Sequence, residues 1–353
     1  MGILLGVISV LLFLLIITFH EFGHFITAKM SGVQVNEFSI GMGPKIFKFK
    51  KGSTLYSFRL FPIGGFCARE GEDGLSDNKN AFVNKSVGKR IIIVTAGAFM
   101  NIVLAILLMM ITLLQQNYFA STQIAKFSDD SLIDKSGLQV GDTIKSIDGY
   151  KIYTYTDLAF ALALNNNFKA DIVVNRNGTN FDLKNVEFKT REDENGKKII
   201  ERDFYVQPIE KNFFTFFSQT FKEIGSHIRI AYVSLFKLIR GEFGLNTVSG
   251  PVGIAAVISN AAAEGLEVNF LHALNNIITI MMVISISLGV MNLLPFPALD
   301  GGRLIFLIIE AVTKKKVNPK YEEMIHKSGL IILMFFAVII AFSDIYKLFA
   351  KSG

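Results

Sequence analysis

The sequence predicts a polytopic α-helical membrane protein with about four transmembrane helices and an inserted soluble domain. Of the 353 residues, 51% are hydrophobic and only 19% are charged, whereas a soluble domain carries about 25% charged residues. The apolar residues are concentrated in four long blocks. Between the second and third blocks, short alternating segments are separated by turn signals, which is typical of a domain built from strands.

Each of the four blocks approaches or exceeds the roughly 20 residues needed to cross the hydrocarbon core of a bilayer. The first block has no basic amino-terminal region and no small-residue cleavage site, so we interpret it as a span rather than a signal peptide. A further segment, Asn212 to Leu238, is rich in Phe but also carries charges, which predicts an amphipathic or interfacial helix. The predicted spans run from about Ile3 to Lys29, Ile91 to Leu114, Ile277 to Leu294 and Gly329 to Phe349.

Lysine and arginine predict the orientation of the spans. The segment from Met30 to Arg90 holds ten of these residues, and the loop between spans three and four holds six. The positive-inside rule therefore predicts that both loops are cytoplasmic, and that both termini and the segment between spans two and three lie outside the cytoplasm. The net charge of +6 is modest and unevenly placed, so it bears on membrane orientation and does not indicate a nucleic-acid partner.

The inserted domain runs from about Ala120 to Lys189, with one predicted helix, Tyr155 to Leu164. A hairpin from Thr190 to Ile209 is expected to follow and to turn at Asn195-Gly196. The single cysteine, Cys67, excludes an internal disulfide. We predict four regions: a membrane half over 1–118, the inserted domain with its hairpin over 119–210, interfacial helices over 211–275, and a second membrane half over 276–353.

The carboxy-terminal part of the first span contains an H-E-x-x-H motif, His20-Glu21-Phe22-Gly23-His24. On a helix the two histidines lie on one face and can bind one Zn²⁺, while Glu21 can act as the general base toward a water molecule. The same pentapeptide also occurs by chance in soluble helices. Here it lies in an apolar span, where each ionisable group costs at least about 2.5 kcal/mol and is normally kept for a function.

A catalytic zinc site needs a third protein ligand, and Asp300 is the best candidate. It follows the third span, just after Pro295 and Pro297 break the helix. A broken helix at membrane depth is tolerated where it lines a cavity or meets a partner. The alternative interpretation is an ordinary helix end with Asp300 in a turn before Gly301-Gly302.

Several segments together resemble the site-2 protease family of intramembrane zinc metalloproteases, specifically its bacterial RseP/RasP branch. The resemblance covers nearly the whole chain and keeps the family's order. It is carried by His20 to Phe25, Phe38 to Pro44, Pro62 to Phe66, Glu70 to Asp73, Gly97 to Asn101, Ser249 to Gly253 and Asn292 to Gly302.

The resemblance implies a specific fold and set of site residues. Residues from about Val35 to Phe66 are expected to form a membrane-associated β-hairpin or sheet, to which an unwound substrate adds as a strand. The inserted domain is expected to be PDZ-like. The resemblance places Asn101 near the site, but close packing of the second span at Gly97 is the interpretation that we favour. The implied residues are Asp300 as zinc ligand; Asn292, Pro295, Pro297, Gly64 and Gly65 for substrate; and Gly137, Leu138, Gly141 and Asp142 around the PDZ groove.

The predicted function is therefore regulated intramembrane proteolysis of single-span membrane proteins, with anti-sigma factors and signal-peptide remnants as implied substrates. Another protease is expected to trim these substrates first. The active site is expected within the cell membrane near its cytoplasmic side, and the PDZ-like domain outside the cytoplasm. Two alternatives from other classes are a zinc transporter and a noncatalytic membrane scaffold. A prenyl-protein peptidase also carries a similar motif but lacks the inserted domain.

Overall fold

A computed structural model describes the chain except for residues 1, 73, 75, 130, 134, 135, 193–195, 197, 244–249, 352 and 353. Asn195 of the predicted turn, and Asp73 and Ser249 of the family motifs, lie outside the described residues. The chain divides into two compact units, Met1–Leu108 with Ser234–Gly353, and Met109–Val233. In chain order the elements are α1 (Gly2–Met30), β1 (Val35–Lys51), β2 (Thr54–Arg69), α2 (Val87–Leu114), β3 (Tyr118–Phe127), β4 (Thr143–Ile147), β5 (Tyr150–Lys151), α3 (Tyr155–Leu164), β6 (Lys169–Arg176), β7 (Thr179–Glu187), β8 (Thr190–Glu192), β9 (Lys198–Ile200), β10 (Phe204–Glu210), α4 (Phe213–Ile239), α5 (Pro251–Val268), α6 (Phe270–Asn292), α7 (Asp300–Thr313) and α8 (Pro319–Lys351).

Within the described chain, four helices are long and apolar enough to cross a membrane: α1, α2, α6 and the stretch Lys320–Tyr346 of α8. The length and composition of these helices confirm the expectation of a multi-pass membrane protein. Many of their large apolar side chains are exposed, among them Ile3, Leu11, Ile331 and Phe335. An apolar surface of this extent needs a lipid or protein environment.

Strands β1 and β2 form the predicted hairpin, and β1 is paired along both of its edges. Residues Glu37–Ile40 of β1 pair with Gly65–Ala68 of β2 and also with Leu55–Phe58, the other half of the same bent strand. The sheet packs on α1 and α2 through a small core of Phe38, Cys67, Ala28 and Ile93. No strand other than β1 pairs with Gly65–Ala68 in the described part of the chain. The edge of Gly65–Ala68 that faces away from β1 is therefore not paired with another described strand.

The second unit contains the inserted domain. Its main sheet has the order β10-β3-β4-β6-β7, with β5 paired to β4. Alternating apolar residues of these strands and of α3 form its core, including Ile144, Ile172, Val174 and Leu158. The helix predicted from Tyr155 to Leu164 is present with those bounds and starts at a capping box of Thr154 and Asp157. The predicted hairpin is shorter than expected, because β8 pairs with β9 while β10 joins β3.

Two structural features of the first unit were not predicted from the sequence. A short helix, α7, begins at Asp300, where we expected only a turn or a ligand. In addition, the Asp344 side chain of α8 accepts hydrogen bonds from the backbone N–H groups of Gly250 and Gly253, at 2.8 and 2.9 Å. A carboxylate at this position caps the start of α5 and favours its dipole.

Candidate active site

The two motif histidines lie one turn apart on α1, and both face inward. His24 is only 3% exposed, and its Nδ1 atom donates to the backbone carbonyl of Ile93, at 2.8 Å. A carbonyl oxygen can only accept, so Nδ1 carries the ring proton of the neutral imidazole. The lone pair of His24 Nε2 is therefore directed to the other side, toward His20.

Asp300 completes the cluster from the start of α7. Its Oδ2 atom lies 3.2 Å from His20 Nε2 and 3.2 Å from His24 Nε2, and the two Nε2 atoms are themselves 3.2 Å apart. Among the described residues, these three form a group whose donor atoms all lie within 4.8 Å of one another. Three residues separated by up to 280 positions in the chain thus present a triangle of ligand atoms.

The shape and chemistry of this triangle fit Zn²⁺. Tetrahedral bonds of 2.0–2.1 Å place neighbouring ligand atoms about 3.3 Å apart, which matches the observed separations. The lone pair of His24 Nε2 and the carboxylate oxygen of Asp300 are both acceptors, and they face each other at 3.2 Å. Two acceptors at that distance repel unless a proton or a cation lies between them. Imidazole and carboxylate are ligand types that zinc accepts.

Two glycines allow α2 to pass close to this cluster. A Cβ atom on Gly97 of α2 would lie 2.4 Å from His24 Nε2 and 2.7 Å from His20 Cε1. A Cβ atom on Gly23 of α1 would lie 2.3 Å from the carbonyl oxygen of Ala96. Any side chain at either position must displace an imidazole ring or push the helices apart. Gly97 therefore provides both helix packing and space for the two histidines.

Asn101, one turn after Gly97, contacts the first histidine. Its Nδ2 atom lies 3.4 Å from His20 Nδ1, and its buried Oδ1 atom has no hydrogen-bond partner in the described chain. Half a turn of the amide group places Oδ1 where it accepts the Nδ1 proton of His20. That arrangement would leave His20 Nε2 free to bind a metal ion, as the Ile93 carbonyl does for His24. Ser285 of α6 donates to the Asn101 backbone carbonyl at 2.8 Å.

The loop before Asp300 is held by close backbone packing. A Cβ atom on Gly301 would lie 2.1 Å from the Leu294 carbonyl oxygen, and one on Gly329 would lie 2.3 Å from Pro297. Ala298 has the left-handed φ of +75°, and its N–H donates to His326 Nδ1 at 3.1 Å. His326 thus holds the backbone two residues before Asp300.

A buried charge cluster connects the end of the hairpin to the Asp300 helix. Glu72 pairs with Arg69 and with Arg303, which is three residues after Asp300 on α7. Burial alone would raise the pKa of Glu72, but the two guanidinium groups hold it below its ordinary value. Burial raises the pKa of the nearby Cys67 thiol to about 12. Sequence reasoning missed this cluster because Arg303 is far from Arg69 and Glu72 in the chain.

The other predicted site residues lie on α1, on β2, and at the end of α6 with the loop that follows it. Glu21 makes no hydrogen bond or ion pair with any described residue, and β2 passes beside it: a Cβ on Gly65 would be 3.5 Å from Glu21 Cγ. Gly64 has the left-handed φ of +83°, which favours glycine. Asn292 is the half-buried last residue of α6. Pro295 and Pro297 lie in the loop that follows it.

The residues predicted around a PDZ groove have structural contacts in the second unit. Asp142 is fully buried and pairs with Arg176 at 2.7 Å, while the Gly137 carbonyl accepts from the same guanidinium at 2.9 Å. Leu138 is in the core at 3% exposure, and Gly141 has the left-handed φ of +93°. Their assignment to a peptide-binding groove stays a prediction.

The profile of peptidase family M50 matches residues 8–336 of the chain. The chain belongs to peptidase family M50. A candidate zinc metalloprotease of Clostridium acetobutylicum is 35% identical over 347 residues, covering 96% of each chain. A second, from Fusobacterium nucleatum, is 35% identical over 346 residues, covering 97% of this chain and 98% of the relative. The regulator of sigma-W protease RasP of Bacillus subtilis is 29% identical over 422 residues, covering 96% of this chain and 98% of the relative.

These similarities confirm the predicted enzyme class and its cofactor: the M50 peptidase is an intramembrane zinc metalloprotease. They do not favour the zinc transporter or the noncatalytic scaffold. The family resemblance drawn from the sequence motifs is also confirmed, over nearly the whole chain.

Proposed function

We propose that this M50 peptidase cuts membrane-spanning proteins within the bilayer, with Glu21 as the general base and with His20, His24 and Asp300 as the zinc ligands. The triangle of donor atoms 3.2 Å apart carries this proposal. Bound zinc supplies Lewis acidity, which polarises the scissile carbonyl and lowers the pKa of a water molecule.

The protein's own residues supply orientation and proton transfer. Ile93 and Asn101 hold the outer ring nitrogens of the two histidines, so that both Nε2 atoms face Asp300. The Glu21 carboxylate has no partner among the described residues that would compete for a proton. It can take one from water and return it to the leaving amine. A base adjacent in sequence to the first ligand stays within reach of the site because both lie on one helix.

We propose that the substrate is bound in an extended conformation beside Glu21. A peptide bond within a helix is shielded, so the substrate helix must unwind before attack. The open edge of β2 at Gly65–Ala68 offers unpaired backbone groups to an added strand, and Gly65 lies against Glu21. Asn292, Pro295 and Pro297, in the helix end and loop before Asp300, are proposed to hold the substrate backbone on the other side.

The proposed substrates are single-span proteins already shortened by another protease, including anti-sigma factors and signal-peptide remnants. Bacillus subtilis RasP is named as a regulator of sigma-W protease, which supports the first of these classes. The inserted domain is proposed to be PDZ-like and to act as a size filter outside the cytoplasm. Its position outside the cytoplasm is supported by the excess of Lys and Arg in the two loops proposed to be cytoplasmic.

The test separates metal binding from chemistry. Purified Glu21→Gln is expected to keep about one zinc per chain and to lose at least about 10²-fold in cleavage of a single-span substrate, the lower range for a general base. Asp300→Asn is expected to lose zinc after dialysis against a chelator. Wild-type cleavage by Glu21→Gln, or full zinc retention by Asp300→Asn, would remove that residue from its role.

The size-filter proposal has its own test. Two substrates that share one transmembrane segment, with and without a folded extracytoplasmic domain, are compared on the wild-type enzyme. Only the shortened substrate is expected to be cleaved. Equal cleavage of both would contradict the filter without affecting the zinc site.

A further inference from the structure

The second unit contains a basic cavity between its sheet and α4. The cavity has a volume of about 740 Å³, within the range of roughly 300–1,000 Å³ typical of ligand sites. Three lysines line it: Lys145 and Lys151 from the sheet, and Lys222 from α4. None of the three has an ion-pair partner among the described residues, and no carboxylate lines the cavity. The cavity therefore carries an uncompensated positive charge.

The cavity wall is fixed by a buried ion pair. Asp157 at the start of α3 is fully buried and pairs with Arg229 of α4. It also accepts from Ser226 of α4 at 2.7 Å. Burial alone would raise the pKa of Asp157, but the hydrogen bonds from Arg229 and Ser226 hold this pKa below its ordinary value. Since Arg229 is engaged in this pair, the three lysines are the cations left to bind a ligand.

One side of the same cavity is aromatic. Phe221 of α4 lines it and is 59% exposed. Phe213 and Phe214, at 71% and 82%, are also exposed on α4. With 3.6 residues per turn, Phe214 and Phe221 share one face, and Lys222 lies beside that face, between it and the buried side of the helix. An exposed aromatic face bordered by lysine is typical of a helix lying on a lipid surface.

We propose that this cavity binds the phosphate-bearing headgroup of an anionic phospholipid. The lysines neutralise the phosphate, while Thr122 and Ser146 in the lining provide hydroxyl donors to its oxygens. The acyl chains lie along the aromatic face of α4. Charge complementarity selects an anion, and the exposed side chains of Phe214 and Phe221 select an amphiphile over free phosphate. The proposal does not depend on the peptidase mechanism.

The absence of tryptophan provides a direct probe. Phe221→Trp places a single indole in the cavity wall of the full chain, purified in an uncharged maltoside detergent. Titration with dihexanoyl-phosphatidylglycerol is expected to give a saturable blue shift of its emission. The matched dihexanoyl-phosphatidylcholine and inorganic phosphate are each expected to bind at least roughly tenfold more weakly. Of the three ligands, only dihexanoyl-phosphatidylglycerol combines a net charge with acyl chains.

Neutralising the cavity tests the lysines. In the Trp background, the triple change K145Q/K151Q/K222Q is expected to weaken phosphatidylglycerol binding by roughly tenfold or more, whereas K145R/K151R/K222R keeps it. The control K126Q/K169Q/K198Q removes the same charge from the same unit outside the cavity lining. An unchanged circular dichroism spectrum and an unchanged Trp emission maximum without lipid show that the second unit of each variant is folded.

Three results would overturn the proposal. The first is equal binding of the zwitterionic lipid, which would mean simple partition onto the aromatic face. The second is equal binding of inorganic phosphate, which would mean an oxyanion site without lipid. The third is tighter binding of an oligo-glutamate peptide than of phosphatidylglycerol, which would assign the cavity to an acidic protein segment.

Discussion

Replacing Gly97 by alanine adds one methyl group directly against the two histidines proposed as metal ligands. The new Cβ would lie 2.4 Å from His24 Nε2 and 2.7 Å from His20 Cε1, whereas ordinary contacts begin near 3.4 Å. The overlap of about 1 Å must be relieved by moving a ring or separating α1 from α2. A displacement of this size at a catalytic group can cost about 10²-fold in rate. We expect a loss of that order in cleavage, together with weaker zinc retention.

Gly88→Ala is the matched control, because Gly88 lies on the same helix and a Cβ there has no atom within 4 Å. Both substitutions raise helix propensity by up to about 1 kcal/mol, so propensity alone predicts that both variants gain stability. The assay is zinc per chain after chelator dialysis, measured by mass spectrometry, beside cleavage of a single-span substrate. If Gly97→Ala matches Gly88→Ala in both measurements, our placement of Gly97 against the histidines is wrong.

Three other predictions concern the surroundings of the metal. Asn101→Leu removes the partner of His20 Nδ1, and we expect roughly 10–100-fold weaker zinc binding in a chelator competition; unchanged affinity would mean that Asn101 only packs. Glu72→Gln removes the negative charge that pairs with Arg69 and Arg303. We expect about 3 kcal/mol of destabilisation at pH 7, seen as a lower Tm in detergent. Because the pKa of Glu72 is lowered on folding, this stabilisation is complete above its unfolded pKa of about 4.3 and is lost as the pH falls through its folded value. Buried Cys67, with a pKa near 12, is expected to resist maleimide at pH 7.5 until the protein is denatured; labelling of the folded protein at the rate of a free thiol would contradict its burial.

The sequence was sufficient for the features that depend on local pattern. Apolar block length predicted the spans, and the four-residue spacing of His20 and His24 placed both rings on one helix face. Turn signals predicted α3 with its correct bounds. Asp300 was identified by its position after a broken helix and by family resemblance, and its distance to the histidines became measurable only in the structure.

The features that escaped prediction are those made by tertiary contact. Nothing near Glu72 in the chain indicates that Arg303 lies 231 positions away in sequence and beside it in space. Similarly, α7 was missed because Gly301 and Gly302 are poor helix formers. Tertiary packing overrides that propensity. The same packing requires glycine, because a Cβ at position 301 would overlap the Leu294 carbonyl oxygen of the folded-back loop.

The two rings proposed to bind zinc differ in what anchors them, and this limits how the enzyme can be tuned. His24 is held by a main-chain oxygen, which every amino acid at position 93 would still provide. His20 is held by a side chain, which a single codon change can remove or replace. Natural variation and protein engineering can therefore adjust the basicity and orientation of one ligand while the other stays constant.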